Sequence, residues 1–426
     1  MKKFMFLILV VLSLFSSCEF YNDIFNKEIP QAEEPNEPTE ESQDVQPTYV
    51  GMFDEYKIDE DTLKSANLPI VYIQTEDNKI IENKKDWISA TMKITNCSDE
   101  DWNFDETKIY VKGRGNTTWC QVKKPFNIKF DKKQKIFNMP KGKRWMFIAN
   151  YLDNSFLKNV TAFKIANQLN MAYTVRGEYV NVIFNGNYIG MYWLGEGIKV
   201  DKNRVNIDDE KDYLIEMDNN MDEPWKFKSD IKQLPYMIKN DDTMTDEKLN
   251  TLKNDINEME SILYSDNLTF EECSSHLDIH SFAQYYLVNE MMYNHELLNP
   301  KSCYFTFNST TKVLSTTTVW DFDWSAYSSE PNLILNNSIY YDVLFKFDEF
   351  KNELNSLLDS LSISDLFEYM DETREKIYPS VILDGERWGN FHRNPVGDIK
   401  NGFDDYIQYL KNCVGNRISY YKEHKF

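Results

Sequence analysis

A β-hairpin signal at Asn185-Gly186 restricts the possible folds of this chain more than any other part of the sequence. An Asn-Gly pair supplies the positive φ angles that a two-residue turn requires, and apolar, strand-forming segments flank it at 179–184 and 188–194. The same kind of pattern predicts earlier strands at 69–75, 90–95, 109–112, 127–130 and 145–149. One helix is predicted between them, at about 155–169, because its apolar residues fall close to one face.

The second half of the chain is predicted to be mostly helical. Helical spacing of apolar residues occurs at 245–264, 278–293, 338–358, 364–378 and 403–421, and a short β pair is predicted at 302–307 and 313–320. The fold class is therefore α+β, with a β-rich part at about 61–220 and a helical part at about 221–426. A body of this length is long for one hydrophobic core, so we expect a bilobal arrangement of two packed parts.

The N-terminus is predicted to be an export signal. Lys2 and Lys3 precede a short apolar run at 4–15, and Ser16 and Ser17 lead directly to Cys18. Residues 1–18 thus resemble a bacterial lipoprotein signal peptide with Cys18 as the lipidated residue. An ordinary cleaved signal with an incidental cysteine is the alternative. Residues 19–60 form an acidic, Pro/Glu-rich tether, so we expect an extracytoplasmic lipoprotein anchored to a membrane through its lipid.

The net charge of −22 argues against broad binding to nucleic acid. Basic residues that bind an anion must therefore be concentrated locally, and the stretch 112–143 is such a concentration. The five cysteines beyond Cys18 have no CxxC spacing, so the sequence indicates neither a zinc site nor a particular disulfide pairing.

The stretch 112–119 (KGRGNTTW) combines residues that are typical of a phosphate site. Gly113 and Gly115 let the backbone approach a ligand closely, and Arg114 between them offers a planar fork for phosphate. The following strand carries Lys129, whose ammonium group would be held in place by the strand. The alternative is a surface hairpin with a glycine turn and a solvated basic edge.

A second motif, at 319–324 (VWDFDW), places Asp321 and Asp323 two residues apart just after a β-branched run. Mg²⁺ prefers a few carboxylate oxygens together with phosphate and water, so the pair is a candidate metal site. The alternative is a structural pair that caps the next segment. Upstream of it, Asn294-His295-Glu296 marks the end of a helix that leads into a polar loop.

Five blocks of sequence, in this order, resemble the CotH family, which comprises atypical protein kinases related to spore coat protein H. The blocks are RGNTTW with KKPFNIKF, RWMFIANYLDNSFLKN, VNVIFNGNYIGMYWLGE, NEMMYN and WDFDW. The resemblance implies a bilobal, kinase-like fold for residues 61–426 that binds ATP and Mg²⁺, or Mn²⁺, and phosphorylates Ser or Thr hydroxyls of a protein substrate.

The resemblance also implies residue roles around the nucleotide. Arg114 and Asn116 lie in the family's RGN loop. Lys129 matches a strand lysine and is the first choice for a catalytic phosphate contact, with Lys124 as the second choice. Glu196 matches the acidic residue after the hairpin and is either structural or on the adenine side of the site.

The remaining roles concern the metal and the acceptor. Asp321 matches the metal-binding Asp, with Asp323 beside it. Glu296 stands where many family members have the catalytic Asp, and Ser302 stands where they have Asn. Because the carboxylate of Glu296 extends one methylene further, an inactive, kinase-like surface lipoprotein is an alternative function. A glycan-binding surface lipoprotein, suggested by the many aromatic residues, is a further one.

Overall fold

The computed structural model describes residues 51–240, 242, 244–389 and 402–426. The predicted signal peptide, Cys18 and most of the predicted tether lie outside these residues. The last ten residues of the predicted tether are described, and their first part packs on the protein. Met52 is buried, and the Arg387 guanidinium donates to the carbonyls of Gly51 and Met52. In the described part of the chain, no helix is both long and apolar enough to cross a membrane.

The β-rich part forms a closed barrel of seven strands. Its strands are β1 (Ile70–Thr75), β2 (Ile88–Thr95), β3 (Phe104–Gly113), β4 (Phe126–Gln134), β5 (Gly142–Ile148), β6 (Gly177–Phe184) and β7 (Asn187–Glu196). They are hydrogen-bonded in the order β1-β2-β3-β4-β5-β7-β6, and β6 closes the barrel by pairing in parallel with β1. Alternate residues such as Val111, Ile128 and Trp145 point inward and fill the barrel core. All the strands predicted in this half are confirmed, with longer bounds at most ends.

The β6–β7 hairpin is confirmed at the predicted turn. Asn185 and Gly186 have φ angles of 49° and 75°, as this kind of turn requires. The side-chain oxygen of Asn185 also accepts a hydrogen bond from the backbone of Thr75 at 2.9 Å. The turn residue thus ties the hairpin to the end of β1, which helps to close the barrel.

A second sheet takes three strands from the segment that follows the barrel and two strands from a later segment of the chain. It has five strands, in the order β12-β11-β8-β10-β9, which are β8 (Tyr213–Met217), β9 (Lys226–Lys228), β10 (Pro235–Ile238), β11 (Cys303–Asn308) and β12 (Val313–Thr318). The pair β11–β12 was predicted, whereas β8, β9 and β10 were missed. These three strands are three to five residues long, and β8 and β10 are buried at every position, so they show no alternating pattern.

The described residues contain nine α-helices. They are α1 (Glu60–Ser65), α2 (Lys158–Gln168), α3 (Asp246–Leu263), α4 (Phe270–His276), α5 (Ile279–Met291), α6 (Tyr341–Leu344), α7 (Asp348–Ser360), α8 (Ile363–Trp388) and α9 (Phe403–His424). The helix predicted at 338–358 is two helices, and the one predicted at 364–378 continues past Pro379 to Trp388. The predicted α+β class is confirmed.

Helix α8 is fastened to the barrel by a buried ion pair. The Lys123 ammonium, which is fully buried, donates to Asp384 at 2.5 Å and to the carbonyl of Met191 at 2.6 Å. The same Asp384 oxygen accepts from the backbone of Met191 at 2.8 Å. Breaking a buried pair by removing one partner is costly, so this contact fixes the helical part against the strands that carry the glycine loop.

Candidate active site

The glycine loop and the Asp321/Asp323 pair face the same cleft. Its volume is about 650 Å³, and it lies between the barrel and the second sheet. One side, the cationic wall, presents Lys84, Lys112 and Arg114. The other side, the acidic wall, presents Glu216, Asp218, Glu296, Asp321 and Asp323. Two segments about two hundred positions apart are thus brought together.

The cationic wall is held by the backbone of the glycine loop, which follows β3. A Cβ atom at Gly113 would lie 2.3 Å from the Trp119 ring and 2.9 Å from the carbonyl of Asn83, so only glycine fits there. Gly115 has a φ of 83°, which L-residues rarely adopt. The sequence therefore needs glycine on both sides of Arg114 to present that side chain.

Arg114 and Asn116 both lie in the cleft. The Arg114 guanidinium lies 5.5 Å from the centroid of the Trp320 ring. Trp320 directly precedes Asp321 in the sequence. Burial lowers the pKa of Arg114, and the nearby Asp321 carboxylate opposes that shift. The Asn116 side-chain oxygen accepts from the Lys84 ammonium at 2.8 Å. These two predicted residues are therefore placed where a phosphate group in the cleft would reach them.

Asn159, at the start of α2, holds the Asp321/Asp323 pair from behind. Its side-chain oxygen accepts from the backbone of Phe322 at 3.0 Å, and its amide donates to Asp323 at 2.7 Å. Asp321 has a φ of 66°, an unusual angle that aspartate tolerates better than most residues. Asn159 thereby fixes Asp323 directly and also holds the backbone of Phe322, the residue between the two carboxylates.

The electrostatics of the pair favour a cation. Burial raises the pKa of Asp321, and burial together with the Asp321 charge raises the pKa of Asp323 to about 7. Among the described residues, no group of three or more His, Cys, Asp or Glu side chains is arranged to hold a metal ion. A pair of carboxylates still suits Mg²⁺, which keeps waters and takes phosphate oxygens as its other ligands.

The segment after α5 brings Glu296 and Ser302 to the acidic wall. Asn294 caps a short 3₁₀ turn over His295–Leu298, and its side chain accepts from the backbone of Glu296 at 3.2 Å. Oε2 of Glu296 is buried and has no hydrogen-bond partner in the described part of the chain. Burial, and then the Asp321 charge, raise the pKa of Glu296 well above its usual value. An unpartnered carboxylate oxygen in a cleft is a candidate acceptor for a substrate proton.

Ser302 links two acidic residues of the wall. Its hydroxyl donates to Asp321 at 3.2 Å, and its backbone N–H donates to Asp218 at 3.2 Å. Burial raises the pKa of Asp218 to about 6. Asp218 was not predicted, although Asp222 and Glu223 lie close to it in the sequence and offered a weak signal.

An ion pair in the cleft was also not predicted from the sequence. The Lys239 ammonium lies 2.7 Å from Glu216, and the Tyr304 hydroxyl donates to the other oxygen of Glu216 at 2.8 Å. Burial alone would lower the pKa of Lys239, but the charges of Glu216 and Glu223 outweigh it and raise the pKa. Lys239 follows a strand that was not predicted, so nothing in the sequence singled it out.

Three predicted cofactor residues do not line the cleft. Lys129 lies on the outer surface of β4, with its ammonium 4.5 Å from the centroid of the Trp87 ring. The Lys124 ammonium donates to the carbonyls of Trp119 and Gln121, at 2.6 and 3.0 Å, and so braces the glycine loop.

Glu196, the third of these residues, is fully buried in an ion-pair cluster. Its carboxylate pairs with Arg176 at 2.8 Å and with Arg204 at 3.4 Å. These contacts favour the structural one of its two predicted roles. Cys18 lies outside the described residues.

No curated protein matches the chain. A family model described as CotH kinase protein matches residues 111–421. The matched range contains the glycine loop, the segment with Glu296 and Ser302, and the Asp321/Asp323 pair, all of which meet at the cleft. With well over half of its residues matched, the chain belongs to the CotH kinase family.

Proposed function

We propose that this protein is a kinase that binds ATP with Mg²⁺, or Mn²⁺, and transfers phosphate to Ser or Thr hydroxyls of a protein substrate. One observation carries the proposal. A cationic wall with Arg114 and an acidic wall with Asp321 and Asp323 face each other across one cleft, and the free carboxylate oxygen of Glu296 lies on that acidic wall. Phosphoryl transfer depends mainly on positioning and on electrostatic stabilisation, and the charged walls of such a cleft supply both.

The buried carboxylates fit a divalent cation, since burial raises both of their pKa values and a bound cation would stabilise their charged forms. Asp321 and Asp323 would hold the metal ion, which would neutralise charge on the phosphates. Ser302 donates to Asp321 and keeps that carboxylate oriented. Asn159 orients Asp323 and holds the backbone between the two carboxylates.

The protein's own groups account for the rest of the reaction. Arg114 binds the phosphate groups through its planar fork, and Asn116 adds a polar contact from the same loop. The acceptor hydroxyl is oriented by Glu296, whose free Oε2 takes the proton as the hydroxyl oxygen bonds to the γ-phosphorus and the bond from that phosphorus to the ADP leaving group breaks. In this proposal the barrel and the helical part with the second sheet are the two lobes of a kinase-like fold. The chain acts outside the cytoplasm, anchored to a membrane by a lipid on Cys18.

A specific feature supports a second candidate, a family member that binds nucleotide without transferring phosphate. Glu296 carries one methylene more than the Asp that many relatives have, and a displacement of about 1 Å can cost on the order of 10²-fold in rate. Burial also favours the protonated form of Glu296, and a protonated carboxyl is a poor base.

The test is incubation of the full chain with labelled ATP and Mg²⁺ or Mn²⁺, with transfer to the protein itself as the readout. Asp321→Asn removes the charge, and asparagine tolerates the positive φ at this position. We expect the variant to lose transfer by on the order of 10³-fold, because the metal loses a charged ligand.

The matched control is Asp131→Asn, a loss of the same charge at an exposed position on β4. Equal transfer by Asp321→Asn and the wild type would refute the proposal. No transfer by the wild type, together with Mg²⁺-dependent ATP binding that Asp321→Asn weakens, would establish the second candidate instead.

A further inference from the structure

Three cations form a compact group on the outer surface of the barrel. In register, Tyr110 of β3 lies opposite Lys129 of β4, and Lys129 lies opposite Arg144 of β5. Lys112 is two residues from Tyr110 and therefore points to the same side. We call Lys112, Lys129 and Arg144 the basic face. The ammonium groups of Lys112 and Lys129 both lie against Trp87, at 5.0 and 4.5 Å from its ring centroid.

The basic face has no acidic counterpart. In the described part of the chain, no carboxylate lies within ion-pair distance of any of its three cations. Glu223 acts on Lys112 from further away, but its carboxylate is paired with Lys239. The chain has 69 acidic and 47 basic residues, so acidic partners are plentiful elsewhere in the protein.

This arrangement costs stability. Like charges directly opposite each other on neighbouring strands repel, and Lys129 and Arg144 are such a pair. Burial lowers the pKa of Lys112, and the charges of Arg144 and Lys129 act in the same direction. The contacts with Trp87 stabilise the two lysine ammonium groups but supply no negative charge. An anion bound from outside would offset the repulsion among the three cations.

The basic face is continuous with the cleft. Lys112 belongs to both, because it also lines the cleft. Asn127 lines the cleft as well, and Lys129 follows it two residues later on the same side of β4, roughly 7 Å along the strand. A substrate chain with its hydroxyl in the cleft can therefore leave across Lys129 and Arg144.

We propose that the basic face binds phosphorylated residues of the protein substrate, next to the hydroxyl that occupies the cleft. This inference rests on the proposed function, since it takes phosphate groups already transferred as the ligand. Arg144 offers the planar fork that pairs with phosphate, and the two lysines add charge. Binding at this surface would favour substrates that carry several phosphorylated residues close together.

The structure favours this ligand over other polyanions. The net charge of −22 repels a long nucleic acid or an anionic membrane, whereas a short phosphopeptide meets mainly the local field, within a Debye length of about 8 Å. The rings of Trp87 and Tyr110 are engaged by lysine ammonium groups, which limits their use as platforms for stacking bases.

The experiment measures the binding of a short fluorescent peptide with two phosphoserines to the full chain, by anisotropy at physiological ionic strength and without ATP. Its unphosphorylated counterpart is measured in parallel. We expect the double variant Lys129→Gln with Arg144→Gln to bind the phosphopeptide roughly tenfold more weakly, through loss of charge-assisted hydrogen bonds. The matched control is Lys93→Gln with Lys135→Gln, which removes the same charge from exposed positions away from the basic face.

Equal affinity of the double variant and the control would overturn the inference. So would tighter binding of an oligothymidylate or of phosphatidylserine vesicles that is lost in the same variant, because the partner would then be of another class. The measurement needs no phosphate transfer, so it is independent of turnover. Failure of the wild type to transfer would count against the proposed function, and an unchanged phosphopeptide affinity would count against this surface.

Discussion

The two walls of the cleft are built in different ways. The cationic wall comes mainly from one continuous stretch, in which Lys112 and Arg114 flank Gly113 at the end of β3. The acidic wall is assembled from three stretches, around Asp218, Glu296 and Asp321, that meet only because β8, β11 and β12 are neighbours in one sheet. A short loop carries its own geometry in its sequence, whereas a wall made of distant segments depends on the fold.

The walls also differ in how strongly their surroundings disfavour the charged forms of their side chains. The carboxylates of the acidic wall are crowded, and burial raises the pKa of Glu296, Asp321, Asp323 and Asp218 alike. On the cationic wall, Lys84 already donates to Asn116 and Arg114 faces Asp321. A bound cation would therefore reduce the repulsion among the carboxylates of the acidic wall. Substitutions on this wall should have larger effects than substitutions on the cationic wall.

After the loss of transfer expected for Asp321→Asn, the largest effect on the acidic wall is expected at Glu296. Glu296→Gln keeps the size of the side chain but cannot accept a proton, so we expect kcat for transfer to fall by on the order of 10²-fold. The affinity for Mg-ATP should remain that of the wild type, since the change concerns the acceptor. Steady-state kinetics with a separate binding measurement would show this division.

An unchanged kcat in Glu296→Gln would mean that this carboxylate does not accept the substrate proton. The acidic wall would then have no identified proton acceptor. Glu296→Asp is the matched variant. It retains the carboxylate and moves it back by one methylene.

The next effect concerns pH and Asp218. Burial raises the pKa of this carboxyl from 3.8 to about 6, so the folded state holds its proton more tightly than the unfolded state does. The resulting stability is present below pH 3.8 and is lost as the pH rises through about 6. We expect a fall in the free energy of unfolding on the order of 2–3 kcal/mol from this group across that interval.

Denaturant unfolding of the metal-free protein at a series of pH values measures that fall. Asp218→Asn should show a shallower pH dependence than the wild type. Parallel curves for the two proteins would show that Asp218 does not titrate as its burial predicts.

A smaller effect is expected for Asn159, which holds the acidic pair from behind. Asn159→Ala leaves Asp323 without its amide donor and the Phe322 N–H without its acceptor, so the free energy of unfolding should fall by about 1–3 kcal/mol. A purely structural role predicts that loss alone. A positioning role predicts weaker Mn²⁺ binding as well, which electron paramagnetic resonance detects. Asn167→Ala, at an exposed position near the end of the same helix, is the control and should change neither quantity.

The smallest effect is expected on the cationic wall. Arg114→Lys keeps the charge but loses the planar fork, so the KM for ATP should rise roughly tenfold while kcat changes little. Arg374→Lys, on α8 and outside the cleft, is the matched control. If kcat/KM fell further in Arg114→Lys than in Glu296→Gln, the cationic wall would be the more important of the two for transfer.

Much of the fold was predictable because its signals are local. The Asn185-Gly186 turn and the alternation in β1 to β7 lie within a few residues of one another, and the barrel strands were found at nearly the right places. The strands β8 and β10 were missed because they are buried throughout, and burial on both sides removes the alternation that identifies a strand.

The candidate site was predictable to the extent that its residues lie in short motifs. Arg114 was identified because glycines flank it, and Asp321 was identified because aromatic residues flank it. Lys129 was chosen as the phosphate lysine because it lies in a strand, but the sequence does not show how far along that strand the cleft extends. Lys239 enters the cleft from β10, which no local pattern revealed.

The sequence by itself determined the α+β class, the hairpin, the glycine loop and the family, because each of these depends on residues that are close together in the chain. Only the tertiary structure decided which charges share a cleft, which cations remain on the outer surface and which carboxylates lie close enough to raise one another's pKa. Electrostatic interactions depend on distance in space and on burial, and strand pairing between distant segments sets both.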